Sequence, residues 1–200
     1  MAFVSAHLAE EKAREDGLVK TVVGRGHIVW FTGLSGSGKT TLAEAVSRIL
    51  ADAGHPVELL DGDVIRSHFS KGLGFSPKDR AENVRRIAYV ADLLARHGVI
   101  VLVAVIAPYR SIREEIRRLS PAYFEVYVNA PLDVCERRDP KGLYRRARAG
   151  QLAQFTGVDD PYEAPEFPEV ECRTDLESVE ECVAKIVREL KLSLNSPRSA

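Results

Sequence analysis

A glycine-rich run ending in lysine and threonine, set between an apolar segment and a helix-forming one, limits this chain more than any other feature. Gly33-Leu34-Ser35-Gly36-Ser37-Gly38-Lys39-Thr40-Thr41 follows Ile28-Val29-Trp30-Phe31 and leads into Leu42-Ala43-Glu44-Ala45-Val46. The spacing is a glycine, four residues, then Gly-Lys-Thr, which after a strand and before a helix is the pattern of a phosphate-cradling loop. Glycines allow close backbone approaches that side chains block. Successive N–H groups and the helix N-terminus behind them can then surround a polyphosphate. Gly36, Ser37, Gly38, Lys39, Thr40 and Thr41 are therefore the candidate ligands of a nucleoside triphosphate. Lys39 is placed to reach the β- and γ-phosphates, and the Thr40 hydroxyl to ligate Mg²⁺.

Two hundred residues, 45% hydrophobic and 28% charged, suit one soluble globular domain. A net charge of -1 gives no support for a nucleic-acid surface, which shows as a basic excess. The longest apolar run, Val99 to Ala107, is far shorter than the ~20 residues of a spanning helix, so no membrane segment is expected. Rich in β-branched residues and bounded by Gly98 and Pro108, it reads as a buried strand. Cys135, Cys172 and Cys182 are too few and too scattered for a disulfide framework, which points to a reducing cytoplasm.

After a polar N-terminal arm, strands expected at 27–32, 56–60, 99–106, 123–128 and near 169–172 alternate with helices at about 39–53, 79–97, 110–118 and 178–192. Such alternation implies an α/β fold of the P-loop NTPase type, a parallel sheet of about five strands with helices on both faces. Ligands of these sheets gather where the strands end. Leu59-Leu60-Asp61-Gly62-Asp63 ends the second strand and Ile106-Ala107-Pro108-Tyr109-Arg110 the third, so both should meet the glycine loop in one cleft.

Asp61 and Asp63 offer carboxylates that could serve a metal and orient or deprotonate an acceptor hydroxyl. Asp63 could equally cap the helix beginning at Val64. Phe75 lies between turn residues as a surface on which a base could stack, with Arg80 and Asn83 three apart on one helix face. The plainer reading is that Ser76 caps that helix, Pro77 opens it and Arg80 is solvated. The run Arg137 to Gly150, five arginines and one lysine edged by glycines, suits either a basic lid that neutralises charge or a helix with a solvated basic face.

Taken in order, these motifs resemble the adenylylsulfate kinase (APS kinase) family over about residues 25 to 190. The resemblance rests on Gly33 to Thr41, Leu60 to Asp63, Gly74-Phe75-Ser76-Pro77 with Asp79-Arg80 and Glu82-Asn83, and Pro108-Tyr109-Arg110. It rests also on Cys135-Glu136-Arg137-Arg138-Asp139-Pro140-Lys141-Gly142-Leu143-Tyr144 and on Phe155-Thr156-Gly157-Val158-Asp159-Asp160-Pro161-Tyr162-Glu163-Ala164-Pro165. It implies transfer of the ATP γ-phosphoryl to the 3′-hydroxyl of adenosine 5′-phosphosulfate, with Mg²⁺, giving 3′-phosphoadenosine 5′-phosphosulfate (PAPS) and ADP. By resemblance, Asp63 is the catalytic carboxylate and Asp61 supports it or the metal. Lys39 and Lys141 stand near the transferring charge. Arg66, Arg80 and Asn83 would hold the acceptor's phosphosulfate and ribose, Phe75 and Phe155 its adenine, and Ile106 would contact it through the backbone. Cys182, on the apolar face of the last helix, is either near the ATP adenine or plain core.

The chain is read as a polar arm at 1–25, a P-loop kinase domain at 26–192 and an irregular tail at 193–200. The resemblance implies a homodimer and is compatible with association with an ATP sulfurylase, although the chain has no length for a fused one. Several members carry a phosphorylatable serine where this chain has Ala107, so direct transfer is expected here. A nucleotide-monophosphate kinase would share the loop and lid but leaves Phe75-Ser76-Pro77 and Phe155-Thr156-Gly157 without a purpose. A GTP switch would need an Asn-Lys-X-Asp guanine-reading sequence, which is missing.

Overall fold

The computed structural model describes residues 25–195, so nearly all of the expected arm and the last five residues of the tail lie outside it. Five strands, β1 (Ile28–Thr32), β2 (Val57–Asp61), β3 (Ile100–Ala104), β4 (Tyr123–Asn129) and β5 (Val170–Arg173), form one sheet in the order β2-β3-β1-β4-β5. All four pairings are parallel, with Ile28 of β1 opposite both Val101 and Tyr123. Every strand therefore ends at the same edge. The order reverses at β1, and the crevice of such a sheet opens at that switch point.

β1 is buried on both faces, and its side chains alternate between two cores. Val29 and Phe31 join Leu42 and Val46 of α1 (Lys39–Asp52) and Ile186 and Leu190 of α7 (Val179–Asn195). Ile28 and Trp30 join the other face, covered by α2 (Gly62–His68), α3 (Pro77–Arg96) and α4 (Arg110–Leu119) through Ile65, Ile87 and Ile112. Full burial of such a side chain is worth about 1.5–3 kcal/mol, so the two cores fix the sheet beneath the strand ends. Two short helices, α5 (Leu132–Arg138) and α6 (Leu143–Arg148), rest on a smaller cluster of Ala130, Cys135 and Tyr144.

Three local expectations change. β3 stops at Ala104 although the apolar run continues, because the chain turns away at Ala107, whose φ is 43°, before Pro108. The cap of α2 is Asp61, whose Oδ1 accepts the Asp63 N–H at 2.9 Å; Asp63 lies in the first turn and does not cap. Finally, α7 continues to Asn195, three residues past its expected end. Ser76 does cap α3, accepting the Asp79 N–H, with Pro77 in the first turn.

Candidate active site

The glycine loop is held by its carbonyls. Lys39 Nζ donates to Gly33 O at 3.0 Å and Leu34 O at 2.7 Å, and Tyr144 Oη to Ser35 O at 3.0 Å. Arg138 donates to Gly36 O at 3.3 Å and Thr174 Oγ1 to Ser37 O at 2.7 Å. Arg138 also donates to Thr174 O at 2.6 Å, closing a clamp around the loop. Gly33 is needed sterically: a Cβ there would lie 2.3 Å from Val128 O. With the carbonyls engaged, the first turn of α1 has no side-chain cap, and its N–H groups are left for an anion. The Ser37 hydroxyl is buried and finds no partner among the described residues, as suits an oxygen awaiting a phosphate.

A cavity of about 780 Å³ opens over this loop and the ends of β2 and β3. It collects Gly36, Ser37, Gly38, Lys39, Thr40 and Thr41. The same cavity is lined by Asp61, Asp63, Arg66, Phe75, Arg80, Asn83, Ile106, Lys141 and Phe155. All the site residues expected from the sequence thus face one space. Typical ligand pockets span about 300–1,000 Å³, so this one is toward the large end.

Charge within it is organised in pairs. Burial, with a smaller contribution from nearby Lys141, lowers the Lys39 ammonium to a pKa of about 8 against the opposing pull of Cys135, Asp61 and Asp63. Thr40 Oγ1 donates to Asp61 Oδ2 at 2.8 Å, putting two hard oxygen ligands side by side at the loop. Lys141 Nζ pairs with Asp63 Oδ2, tying the segment between α5 and α6 to α2. The basic stretch is therefore neither a bare loop nor a uniformly solvated face. Arg137 stays outside on Asp133 at 2.5 Å, whereas Arg138 turns into the loop clamp and Lys141 into the cavity.

On the far wall, Arg66 lies 4.0 Å from the Phe75 ring centroid and Arg80 5.6 Å from it, with half of Phe75 exposed. Arg80 Nε donates to Phe75 O at 2.9 Å and lies 3.7 Å from Asp160 Oδ2. Asn83 Oδ1 accepts from Ser70 Oγ. Phe155 packs edge-on against Tyr144, with centroids 5.0 Å apart. Ile106 O accepts from Thr32 Oγ1 at 2.5 Å. Cys182 is fully buried in the core, as its plainer reading expected, and also borders the cavity.

Sequence reasoning did not single out Thr174, which secures the loop, or Thr156, whose buried hydroxyl faces the cavity without a partner among the described residues. Thr174 carried no local signal, being 137 residues from the carbonyl it binds. Thr156 stood inside a recognisable motif, flanked by Phe155 and Gly157.

The family profile for adenylylsulphate kinase matches residues 25–173, most of the chain and every part of this cavity wall up to β5. The chain belongs to the adenylylsulphate kinase family. An adenylyl-sulfate kinase of Synechococcus sp. (strain JA-2-3B'a(2-13)) is 60% identical over 167 residues, spanning 84% of this chain and 95% of that one. One from Microcystis aeruginosa (strain NIES-843 / IAM M-2473) is 61% identical over 166 residues, 83% of this chain and 92% of that one. Among solved structures, the APS kinase of Mycobacterium tuberculosis in complex with AMPPNP and APS superposes with a TM-score of 0.81 at 45% identity. It covers 84% of this chain and 99% of its own. Among the described residues no helix is long and apolar enough to cross a membrane.

Proposed function

We propose that this chain is an adenylyl-sulfate kinase that transfers the γ-phosphoryl of ATP directly to the 3′-hydroxyl of adenosine 5′-phosphosulfate, yielding PAPS and ADP. The observation that carries this reading is the single cavity lined by the phosphate loop, the Asp63–Lys141 pair and the Phe75, Arg80 and Phe155 wall. An anionic purine acceptor calls for that wall: guanidinium groups for the phosphosulfate and aromatic faces for the base. The solved relative carrying both APS and AMPPNP supports the same pairing of ligands.

In this mechanism Asp63 orients the acceptor hydroxyl and takes its proton. The oxygen–phosphorus bond to the acceptor forms as the bond to ADP breaks. Lys39 and Lys141 neutralise charge on the equatorial oxygens, which is the larger share of catalysis in phosphoryl transfer. Thr40 and Asp61 fit Mg²⁺, which uses one or two protein oxygens and completes its shell with phosphates and water. Bound there, Mg²⁺ supplies charge neutralisation to the β- and γ-phosphates. Ala107 has no hydroxyl to receive a phosphoryl group, which supports direct transfer. Three free, buried cysteines support a reducing, cytoplasmic setting.

The test is a coupled ADP-release assay with ATP, Mg²⁺ and a panel of acceptors. Turnover is expected with adenosine 5′-phosphosulfate. Turnover with AMP or CMP, and none with the sulfated nucleotide, would replace this reading with a nucleotide-monophosphate kinase.

A further inference from the structure

Behind the acceptor wall sits a buried cation that the proposed chemistry does not use. Arg113 of α4 is 2% exposed, and its two Nη atoms are hydrogen-bonded while the buried Nε makes an ion-pair approach without a hydrogen bond among the described residues. One Nη donates to Ala107 O at 2.6 Å, the other to Glu163 O at 2.6 Å, and Nε lies 3.1 Å from Glu125 Oε1 on β4. The group also stands 5.7 Å from the centroid of the Tyr162 ring.

Of the two carbonyls it binds, that of Ala107 belongs to a residue of the cavity wall, and that of Glu163 lies just outside the wall on a segment that leads into it. Ala107 lies between Ile106 and Pro108, where the chain leaves β3 in a left-handed conformation that only glycine adopts freely. Glu163 ends the segment that carries Gln154, Phe155 and Thr156. Further bonds stitch the two together: the Glu163 N–H donates to Pro108 O at 2.8 Å, and Glu163 Oε2 accepts the Arg110 N–H at 2.6 Å. Asp160, in the same segment, accepts from Tyr109 Oη at 2.9 Å and pairs with Arg80. The wall is thus continuous from the turn after β3 to Arg80 and Phe155. At its centre is a planar fork that reaches both carbonyls and a carboxylate at once. A lysine ammonium, a compact point charge on a flexible stem, does not reproduce that geometry.

We propose that Arg113 is a positioning residue for the acceptor subsite, holding the Ala107 turn and the Phe155 segment at the separation the acceptor's purine requires. This rests on the assignment of that wall to the acceptor. Arg113 does not line the cavity, so its effect is exerted through backbone placement, and its hydrogen bonds and ion pair go to Ala107, Glu163 and Glu125.

The test compares wild type with Arg113→Lys and with the double variant Arg113→Met/Glu125→Leu. The double variant removes both buried charges; replacing a buried pair with apolar residues often preserves or raises stability. Arg117 keeps Glu169 as its partner in that background. Expected in both variants is a rise of roughly tenfold or more in KM for adenosine 5′-phosphosulfate, with KM for ATP within about twofold of wild type, the size a displaced contact of ~1.4 kcal/mol produces. Loss of folded protein alone would lower apparent kcat and leave both KM values unchanged, and that pattern would overturn the proposal. So would failure of both variants to fold, since the pair would then serve the fold and not the wall. Absence of sulfated-nucleotide turnover in wild type would instead overturn the assignment of the acceptor.

Discussion

The lowered pKa of Lys39 makes nucleotide binding pH-dependent in a way that can be worked out in advance. With a pKa of about 8, the ammonium is about 90% protonated at pH 7 and about 10% at pH 9. Only the protonated form attracts phosphate, and a bound polyphosphate raises the pKa again by supplying opposite charge. Affinity for ATP should therefore fall by about tenfold between pH 7 and pH 9, a loss of about 1.4 kcal/mol. Phosphate groups titrate near about 6 and are ionised throughout that window. Isothermal titration calorimetry in two buffers of different ionisation enthalpy should show uptake of about half a proton per nucleotide at pH 8. Lys39→Arg, charged at all these pH values, should abolish both the slope and the uptake. A flat affinity in wild type from pH 7 to 9, or a slope that survives in Lys39→Arg, would refute the reasoning.

Phe75→Ala should raise KM for adenosine 5′-phosphosulfate by the equivalent of about 1–3 kcal/mol of lost stacking while leaving ATP unaffected; equal effects on both substrates would count against a stacking role. Thr40→Val, which keeps the shape and removes the hydroxyl, should raise the Mg²⁺ concentration for half-maximal turnover by about 10–100-fold, and an unchanged Mg²⁺ titration would remove Thr40 from the metal site. Glu125→Ala leaves Arg113 buried with its carboxylate gone, so urea denaturation should show a loss of about 3–5 kcal/mol; a loss below about 1 kcal/mol would mean the pair is solvated.

What the sequence made legible was what depends on neighbouring residues. β1, the glycine loop and α1 follow one another within twenty-five residues, and each is specified by its own pattern. The strand-end rule then located Asp61 and Ile106, because a parallel sheet puts all its strand ends on one edge. The misread details were degenerate locally. Val105 and Ile106 continue an apolar run, and only the left-handed turn at Ala107 takes them out of the sheet. Asp61 and Asp63 are the same residue type two apart, so which of them caps α2 is decided by the backbone of Asp61. Least legible were the long-range clamps. In Arg110-Ser111-Ile112-Arg113-Glu114-Glu115-Ile116-Arg117-Arg118, nothing local marks Arg113 as the buried arginine; Glu125 on β4 and the Ala107 and Glu163 carbonyls do so from elsewhere in the fold. Arg138 was visible as one of several lid arginines, but the glycine-loop carbonyl it grips is 102 residues away.

The central claim is that ATP and a sulfated adenine nucleotide meet in this cavity for one direct phosphoryl transfer. A single-turnover experiment with γ-³²P-labelled ATP and adenosine 5′-phosphosulfate tests it most directly. Label should pass to a product from which a 3′-specific phosphatase releases it, with none bound to protein at any time point. Label that appears first on the chain and then reaches the product, or that never reaches the 3′-position, would contradict the account.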